Sequence, residues 1–254
     1  MSNDVTLTRR VRGRLGVYPI DVARDFGVDA FFTDRSGGVS PSPYDELNLA
    51  SHVGDDDANV AENRARVCDA MGVAITELVT VRQVHGNLVV DAATSPMPRD
   101  ADGLVTSSNS LALAILVADC VPILLVDAAS DHFAAVHAGW RGLSAGVLAN
   151  AVSCFPAPQS LRAFIGPSIS SARYQVGPEV AAHFASVPGA LERDVDDRSR
   201  LDLRRVSSVQ LHDLGLKSEH VFASTQVTDG GAAFFSDRAQ RPCGRFALVA
   251  KRAS

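Results

Sequence analysis

The chain has 254 residues, 46% of them hydrophobic, with 24 lysines and arginines against 29 aspartates and glutamates. That length and apolar content can build one sizeable buried core, so the sequence reads as a single domain over 1–254, with 1–25 an N-terminal extension bearing the first strands and 26–250 the core. A formal net charge of −5, with basic residues spread along the chain rather than gathered in a stripe, excludes the electrostatic footprint of nucleic-acid binding and points to a small ligand.

The first seventeen residues, MSNDVTLTRRVRGRLGV, are polar and basic without an apolar stretch, which is no secretory signal, so a cytoplasmic protein is expected. A first buried strand is predicted over 30–33, followed by a turn-rich loop with Gly37, Gly38, Pro41 and Pro43. Helical spacing over 60–71, opened by the acids 55–57 and Asn59, leads to a strand over 78–83. The apolar run 111–126 is long enough to raise the question of a membrane span, but Asp119 and Pro122 interrupt its middle, so it reads as two strands, 112–118 and 123–127. A strand over 133–138, a helix over 144–155 opened by Ser144, and a strand over 161–165 ending at Gly166-Pro167 follow. Helices over 180–185 and 203–214 flank the charged run DVDDRSR (194–200), read as a solvated loop, and a strand over 246–250 closes the chain. Strands with helices between them give a mixed α/β or α+β fold. The four cysteines are far apart with no C-x-x-C pair, as expected of reduced thiols.

Three ligand-type side chains stand where an apolar strand gives way to a loop: His85 in VRQVHG, Cys120 in VADCVP and His137 in AAVHAGW. Imidazole and thiolate are donors that zinc prefers, and three protein ligands with an open fourth position are what a catalytic zinc keeps. The spacing matches no compact zinc ribbon, and each residue alone is equally at home in a core. A metal-free alternative uses Cys120 as a thiolate nucleophile and His137 as its general base. Asp119 is a candidate acid; extended backbone there would aim it away from Cys120. Asp102 in ADG reads as a turn residue. Arg35, Arg64 and Arg141 lie in or beside polar or glycine-rich loops where a guanidinium can fork onto a phosphate or carboxylate. Trp140 offers a ring for stacking or for core packing.

Taken together, TDRSGGVSPSPYDELNLASHVGDD, ENR, VRQVHG, ADGLVT, ADCVPILLVD, AAVHAGWRG, FIGPSIS and YQVGPEV resemble the YfiH-like family, variously described as polyphenol oxidases, purine nucleoside phosphorylases or peptidoglycan-editing factors. The resemblance spans most of 30–180. It implies a single layered α/β/β/α domain similar to the deamidase domain of cytotoxic necrotizing toxins, with zinc held by His85, Cys120 and His137. It also implies phosphorolysis of adenosine, inosine, guanosine or methylthioadenosine and deamination of adenosine, so the expected partners are a purine nucleoside and phosphate, with no nucleic acid and no membrane. Arg35, Asn48, His52, Arg64 and Arg141 are expected around the substrate, with Asp119 and Arg64 as catalytic candidates: Asp119 to protonate the departing ammonia, Arg64 to position phosphate.

The C-terminal end departs from the family. Where relatives often show Cys-Thr and later Phe-Ser-Tyr-Arg-Arg, this chain has Ser224-Thr225 and FFSDRAQRPCGR, with Asp237 and Ala239 at the changed positions and Arg238 and Arg245 retained. With seven histidines and no H-x-H pair, the sequence cannot supply a multicopper cluster, so phenol oxidation would need copper in the single His2Cys site. Two rivals remain: a metal-free cysteine hydrolase or amidase acting on cell-wall or amino-acid amides, and a binding protein in which zinc is structural.

Overall fold

The computed structural model describes residues 3–94 and 99–253. Its largest sheet has seven strands in the spatial order Asn3–Val5, Val221–Ser224, Leu161–Ile165, Val121–Asp127, Phe133–Ala138, Gly103–Thr106 and Val89–Asp91. The central pairs, Leu161–Ile165 with Val121–Asp127 and Val121–Asp127 with Phe133–Ala138, are antiparallel; pairing turns parallel toward both edges. A six-stranded sheet runs in the order Arg10–Arg12, Leu15–Pro19, Val28–Thr33, Phe246–Arg252, Ala112–Val117 and Leu78–Val79.

The layering follows from the two-residue period of each strand. On Phe133–Ala138, the side chains of Phe133 and Ala135 enter a core shared with Phe32, Ile115 and Leu248 of the six-stranded sheet, whereas Ala134 and Val136 face the opposite way. That opposite face is covered by Val147, Leu148, Ala151 and Val152 of the helix Val147–Ser153 and by Val206 and Leu211 of Leu203–Asp213. The outer face of the six-stranded sheet buries Phe31, Ala114 and Ala247 beneath Val67 and Met71 of the helix Asp57–Met71. The result is the expected α/β/β/α stack. Each large apolar side chain taken fully from water contributes about 1.5–3 kcal/mol to holding it.

The helix ends obey local chemistry. Asp56 accepts from the Ala58 N–H at 2.7 Å and Gly72, at φ +69°, closes the same helix. Asp202 caps Leu203–Asp213 through the Arg205 N–H at 2.9 Å. The helix expected over 144–155 is instead two pieces, Trp140–Ser144 and Val147–Ser153, because Gly146 sits at φ +85° between them. The helix over 180–185 is a single turn, Pro178–Ala181, followed by a 3-10 turn. The run 194–200 is the tip of a hairpin rather than a plain loop: Ser199–Leu201 pairs with Leu191–Arg193 and Gln175–Val176 in a small third sheet.

The segment 3–19 is woven into both sheets. Asn3–Val5 edges the larger, Arg10–Arg12 and Leu15–Pro19 edge the smaller, and Leu15 and Val17 are fully buried. The apolar run 111–126 forms two strands in different sheets, and among the described residues no helix is long and apolar enough to cross a membrane.

Candidate metal centre

The strand predicted over 78–83 shortens to Leu78–Val79, and Gln83 shows why. Its side-chain amide takes over the pairing, donating to Leu116 O at 2.7 Å and accepting from Leu116 N at 2.8 Å. The chain can therefore leave the sheet and still satisfy Leu116, and it delivers His85 on a tight loop at φ +59°. Cys120 arrives differently. Residues 118–120 cross from Ala112–Val117 in one sheet to Val121–Asp127 in the other, with Asp119 at φ +85° making the bend. His137 continues the inward row of Phe133 and Ala135 to the end of its strand, where the space between the sheets opens.

These three routes converge. The ligand atoms of His85, Cys120 and His137 all lie within 4.8 Å of one another, and the two imidazoles meet edge to face. His137 is 3% exposed. Burial opposes charge on Cys120 and His137 alike. Their mutual attraction and hydrogen bonding outweigh it, holding the Cys120 thiol below its ordinary pKa and, with the help of Asp102, His137 above its own.

Asp102, read from sequence as a turn residue, is the organising carboxylate of the site. It is fully buried, and Oδ1 lies 2.8 Å from His137 Nδ1 while also accepting from the His85 N–H at 2.9 Å. Oδ2 accepts from the Gly86 N–H at 2.6 Å. Burial works to raise its pKa, but the hydrogen bonds from His137 and the loop amides prevail and hold it below the usual carboxylate range. One side chain thus fixes the loop that carries His85 and the ring of His137, leaving Nε2 of His137 to face the ligand cluster.

Gly139 packs against the same cluster. A Cβ there would stand 3.0 Å from Cys120 Sγ and 3.2 Å from His85 Cδ2. Its φ of −82° suits any residue, so the constraint is space and not backbone strain. Gly139→Ala is expected to fold with a stability loss of at most about 1 kcal/mol but to hold a metal ion at this cluster roughly tenfold more weakly, read by chelator competition, because the three donor atoms must move apart.

A family model described as multi-copper polyphenol oxidoreductase laccase matches residues 29–253. A purine nucleoside phosphorylase of Streptomyces coelicolor is 42% identical over 226 residues, covering 85% of this chain and 92% of that protein. The purine nucleoside phosphorylase YfiH of Escherichia coli is 36% identical over 227 residues, covering 87% and 92%. The chain belongs to the YfiH-like family. Solved structures agree with that placement: a YfiH protein of Bacillus licheniformis superposes with a TM-score of 0.88 at 27% identity, covering 96% of this chain and 98% of that one. YlmD of Geobacillus stearothermophilus gives 0.89 at 28% identity, covering 98% and 99%. Although this YfiH-like chain matches a model with a multi-copper description, His85, Cys120 and His137 are, among the described residues, its single group of three or more side chains able to share an ion.

The remaining expected residues divide. Arg64, partly buried, donates Nε to Leu49 O at 2.9 Å, and exposed His52 lies on the short turn Ser51–Val53 within electrostatic range of Arg64, Arg245 and His85. Arg141 is exposed at the start of the helix after Gly139, its guanidinium 4.3 Å above the Trp140 ring. Three other expectations need correction. Asn48 is fully buried and its amide is saturated, donating to Ala50 O and Asp55 Oδ2 and accepting from the N–H groups of Ala50 and Arg245, which makes it a loop tie and not a ligand contact. Arg35 is turned inward onto Asp45, through the carbonyl at 2.6 Å and the carboxylate at 3.0 Å, and stacks on Phe235. Asp119 is held at both oxygens: Oδ1 accepts from Thr228 Oγ1–H at 2.5 Å and Oδ2 from the Arg238 N–H at 2.7 Å. Its bend also removes the extended geometry assumed for it.

A cleft of about 460 Å³ is lined by Trp140, Tyr174, Gln175, Glu179, Arg198 and Arg238. Tyr174 joins it to the centre: burial first, then the nearby Cys120 charge, push its phenol up to about 12, so it remains a hydroxyl donor at neutral pH.

Proposed function

We propose that this chain is a zinc-dependent purine nucleoside phosphorylase that accepts adenosine, inosine, guanosine and methylthioadenosine and also deaminates adenosine. The observation that carries the reading is the three-ligand centre of His85, Cys120 and His137 beside Arg64 and His52, in a family whose relatives bear the name purine nucleoside phosphorylase. Two imidazoles and a thiolate form a borderline-soft donor set that suits zinc, with copper as the alternative ion, and does not suit magnesium or calcium. A zinc ion held by His85, Cys120 and His137 would supply Lewis acidity to an oxygen of the reactants.

The chain's own residues carry the rest. Asp102 keeps the proton of His137 on Nδ1, so that the ring offers a lone pair to the ion. Arg64 and His52 hold phosphate on one side, and the Trp140–Tyr174 cleft receives the nucleoside on the other, where the phenol of Tyr174 offers a hydrogen bond. In phosphorolysis the bond from C1′ to the purine nitrogen breaks, a phosphate oxygen bonds C1′, and the base leaves carrying a proton. The positive charge of Arg64 favours that transition state by holding the anion in line. All four cysteines are free, in keeping with a reducing, cytoplasmic location.

The deciding experiment incubates zinc-loaded protein with adenosine, with and without phosphate, and resolves products by chromatography. Adenine and ribose 1-phosphate that form only with phosphate, alongside inosine that forms without it, are expected. Zinc-free protein that turns over amides through Cys120 would overturn the reading in favour of the cysteine hydrolase.

A further inference from the structure

Away from the metal centre, a second cavity of about 340 Å³ opens between the helix Leu203–Asp213 and the carboxyl end of the strand Val221–Ser224, with the parallel edge strand Asn3–Val5 at its side. Its wall includes Asp4, Asp202, Arg204, Arg205, Ser208 and Thr225. Arg204 Nη1 donates to Ser224 O at 2.8 Å, which sets the N-terminus of the helix against the end of that strand. The amides of Leu203 and Arg204, the first two of the helix, have no intrahelical acceptor, and the helix dipole adds positive potential there. Crevices outside the carboxyl ends of parallel strands are where open α/β sheets receive ligands. Leu161–Ile165 separates Val221–Ser224 from the strand that Cys120 leads into, and the cavity wall includes none of His85, Cys120 and His137.

Two adjacent serines of this helix meet different fates. Ser207 Oγ donates to Leu203 O at 2.8 Å, the usual answer for a hydroxyl inside a helix. Ser208 is 2% exposed, and its Oγ has no hydrogen-bond partner among the described residues. A buried hydroxyl without a partner costs stability that a ligand atom in the cavity would offset. Arg204 stands one turn before Ser208 on the same helix face. Arg205 is tethered through Nε to Pro188 O at 2.8 Å, as Arg204 is through Nη1 to Ser224 O. Among the described residues the other guanidinium nitrogens of both have no acceptor, and neither arginine makes an ion pair. The two acids of the wall stand otherwise engaged or apart: Asp202 Oδ1 accepts from the Arg205 N–H at 2.9 Å, and Asp4 is exposed on the edge strand.

Guanidinium edges, first-turn amides and a waiting hydroxyl are all donors, the set that an oxyanion needs. Two positive charges side by side match a phosphate dianion better than a single carboxylate. On the other rim, Asp4 and Thr225 offer acceptors for hydroxyl groups, which a bare anion would leave idle in a cavity of this size. We infer that this cavity binds a phosphate monoester of a polyhydroxylated small molecule, a sugar phosphate or a nucleotide, with the phosphate on Arg204, Arg205 and Ser208 and the hydroxyl groups toward Asp4. The site is separate from the metal centre, and the inference does not rest on the reaction proposed for that centre.

Calorimetric titration of zinc-loaded full-length protein with ribose 5-phosphate, AMP and inorganic phosphate tests this. At least one ester is expected to bind about fivefold or more tightly than inorganic phosphate; tighter AMP assigns a nucleotide, and tighter ribose 5-phosphate a sugar phosphate. Arg205→Met is expected to raise the Kd of that ester about tenfold and Ser208→Ala about threefold. Because Ser208→Ala removes an unanswered hydroxyl, the melting temperature of the ligand-free variant is expected to stay level or rise, so its weaker binding is not lost folding. Asp4→Ala is expected to weaken the ester and leave inorganic phosphate as it was. Cys120→Ala, which removes a ligand of the metal centre, is expected to bind the ester as the wild type does. Unchanged Kd in both Arg205→Met and Ser208→Ala would overturn the inference, as would absence of binding to the wild type. Ester binding that disappears with Cys120→Ala would place the phosphate at the metal centre and overturn it too. Equal affinity for inorganic phosphate and both esters would leave an anion site only and sink the monoester assignment.

Discussion

Cys120→Ala is expected to lose bound zinc and to lower phosphate-dependent adenosine cleavage at least about 10³-fold, with the fold retained. Two imidazoles alone hold zinc far more weakly than a set that includes a thiolate, so the metal leaves before the protein does. The side chain is small and sits at the rim of the inter-sheet core, and its removal takes away few apolar contacts. Elemental analysis and far-UV circular dichroism on the same sample separate the outcomes. A variant that keeps about one zinc per chain would remove Cys120 from the ligand set. Cys120→Ser, with a harder and more weakly acidic donor, is expected to fall between the two in metal content.

Asp102→Ala should produce the second largest effect, and a different pattern. The His85 and Gly86 amides and the His137 Nδ1–H group would all lose a buried acceptor, at a cost of about 1–3 kcal/mol for each group left unsatisfied. Zinc affinity is expected to fall 10- to 100-fold because neither histidine is then held in orientation. Asp102→Asn is the informative companion: it keeps the size but its amide can only accept through one oxygen, so stability recovers more than metal affinity does. Urea denaturation and chelator competition read the two effects independently. Equal losses of stability in the Ala and Asn variants, with zinc affinity untouched, would show that Asp102 serves the loop alone.

The clustering of the three candidate ligands was legible because residue type and position agree: each is a metal-type donor at the mouth of an apolar run. The layered fold was legible in the same way, since strands such as Phe133–Ala138 are apolar on both faces and need a covering layer on each side. Asp102 was hidden because its partners are backbone amides of 85–86 and a ring 35 residues away, and no local pattern records such bonds. The available signal was an acid flanked by Ala101 and Gly103 in an otherwise apolar stretch, a place where water would not solvate it. Arg35 and Asn48 misled in the opposite direction. Polar residues in a glycine-rich loop read as ligand contacts, yet this loop folds back and consumes them. The strands Gly103–Thr106 and Val221–Ser224 escaped notice because they are short and carry glycine, threonine or serine, and only neighbouring strands fix them as sheet.

The crossing at 118–120 gives the centre a mechanical meaning. His137 belongs to the seven-stranded sheet, His85 hangs from the end of the six-stranded one through Gln83, and Cys120 sits on the link between them. An ion shared by all three is a rivet through both layers. Sliding one sheet over the other would have to break metal–ligand bonds, so occupancy and resistance to shear become one equilibrium: the unfolding free energy rises by RT ln(1 + [M]/Kd), and the melting temperature depends on free metal accordingly. The candidate metal centre thus lies at the seam between the two sheets, and ligand bonds formed there would also hold that seam shut.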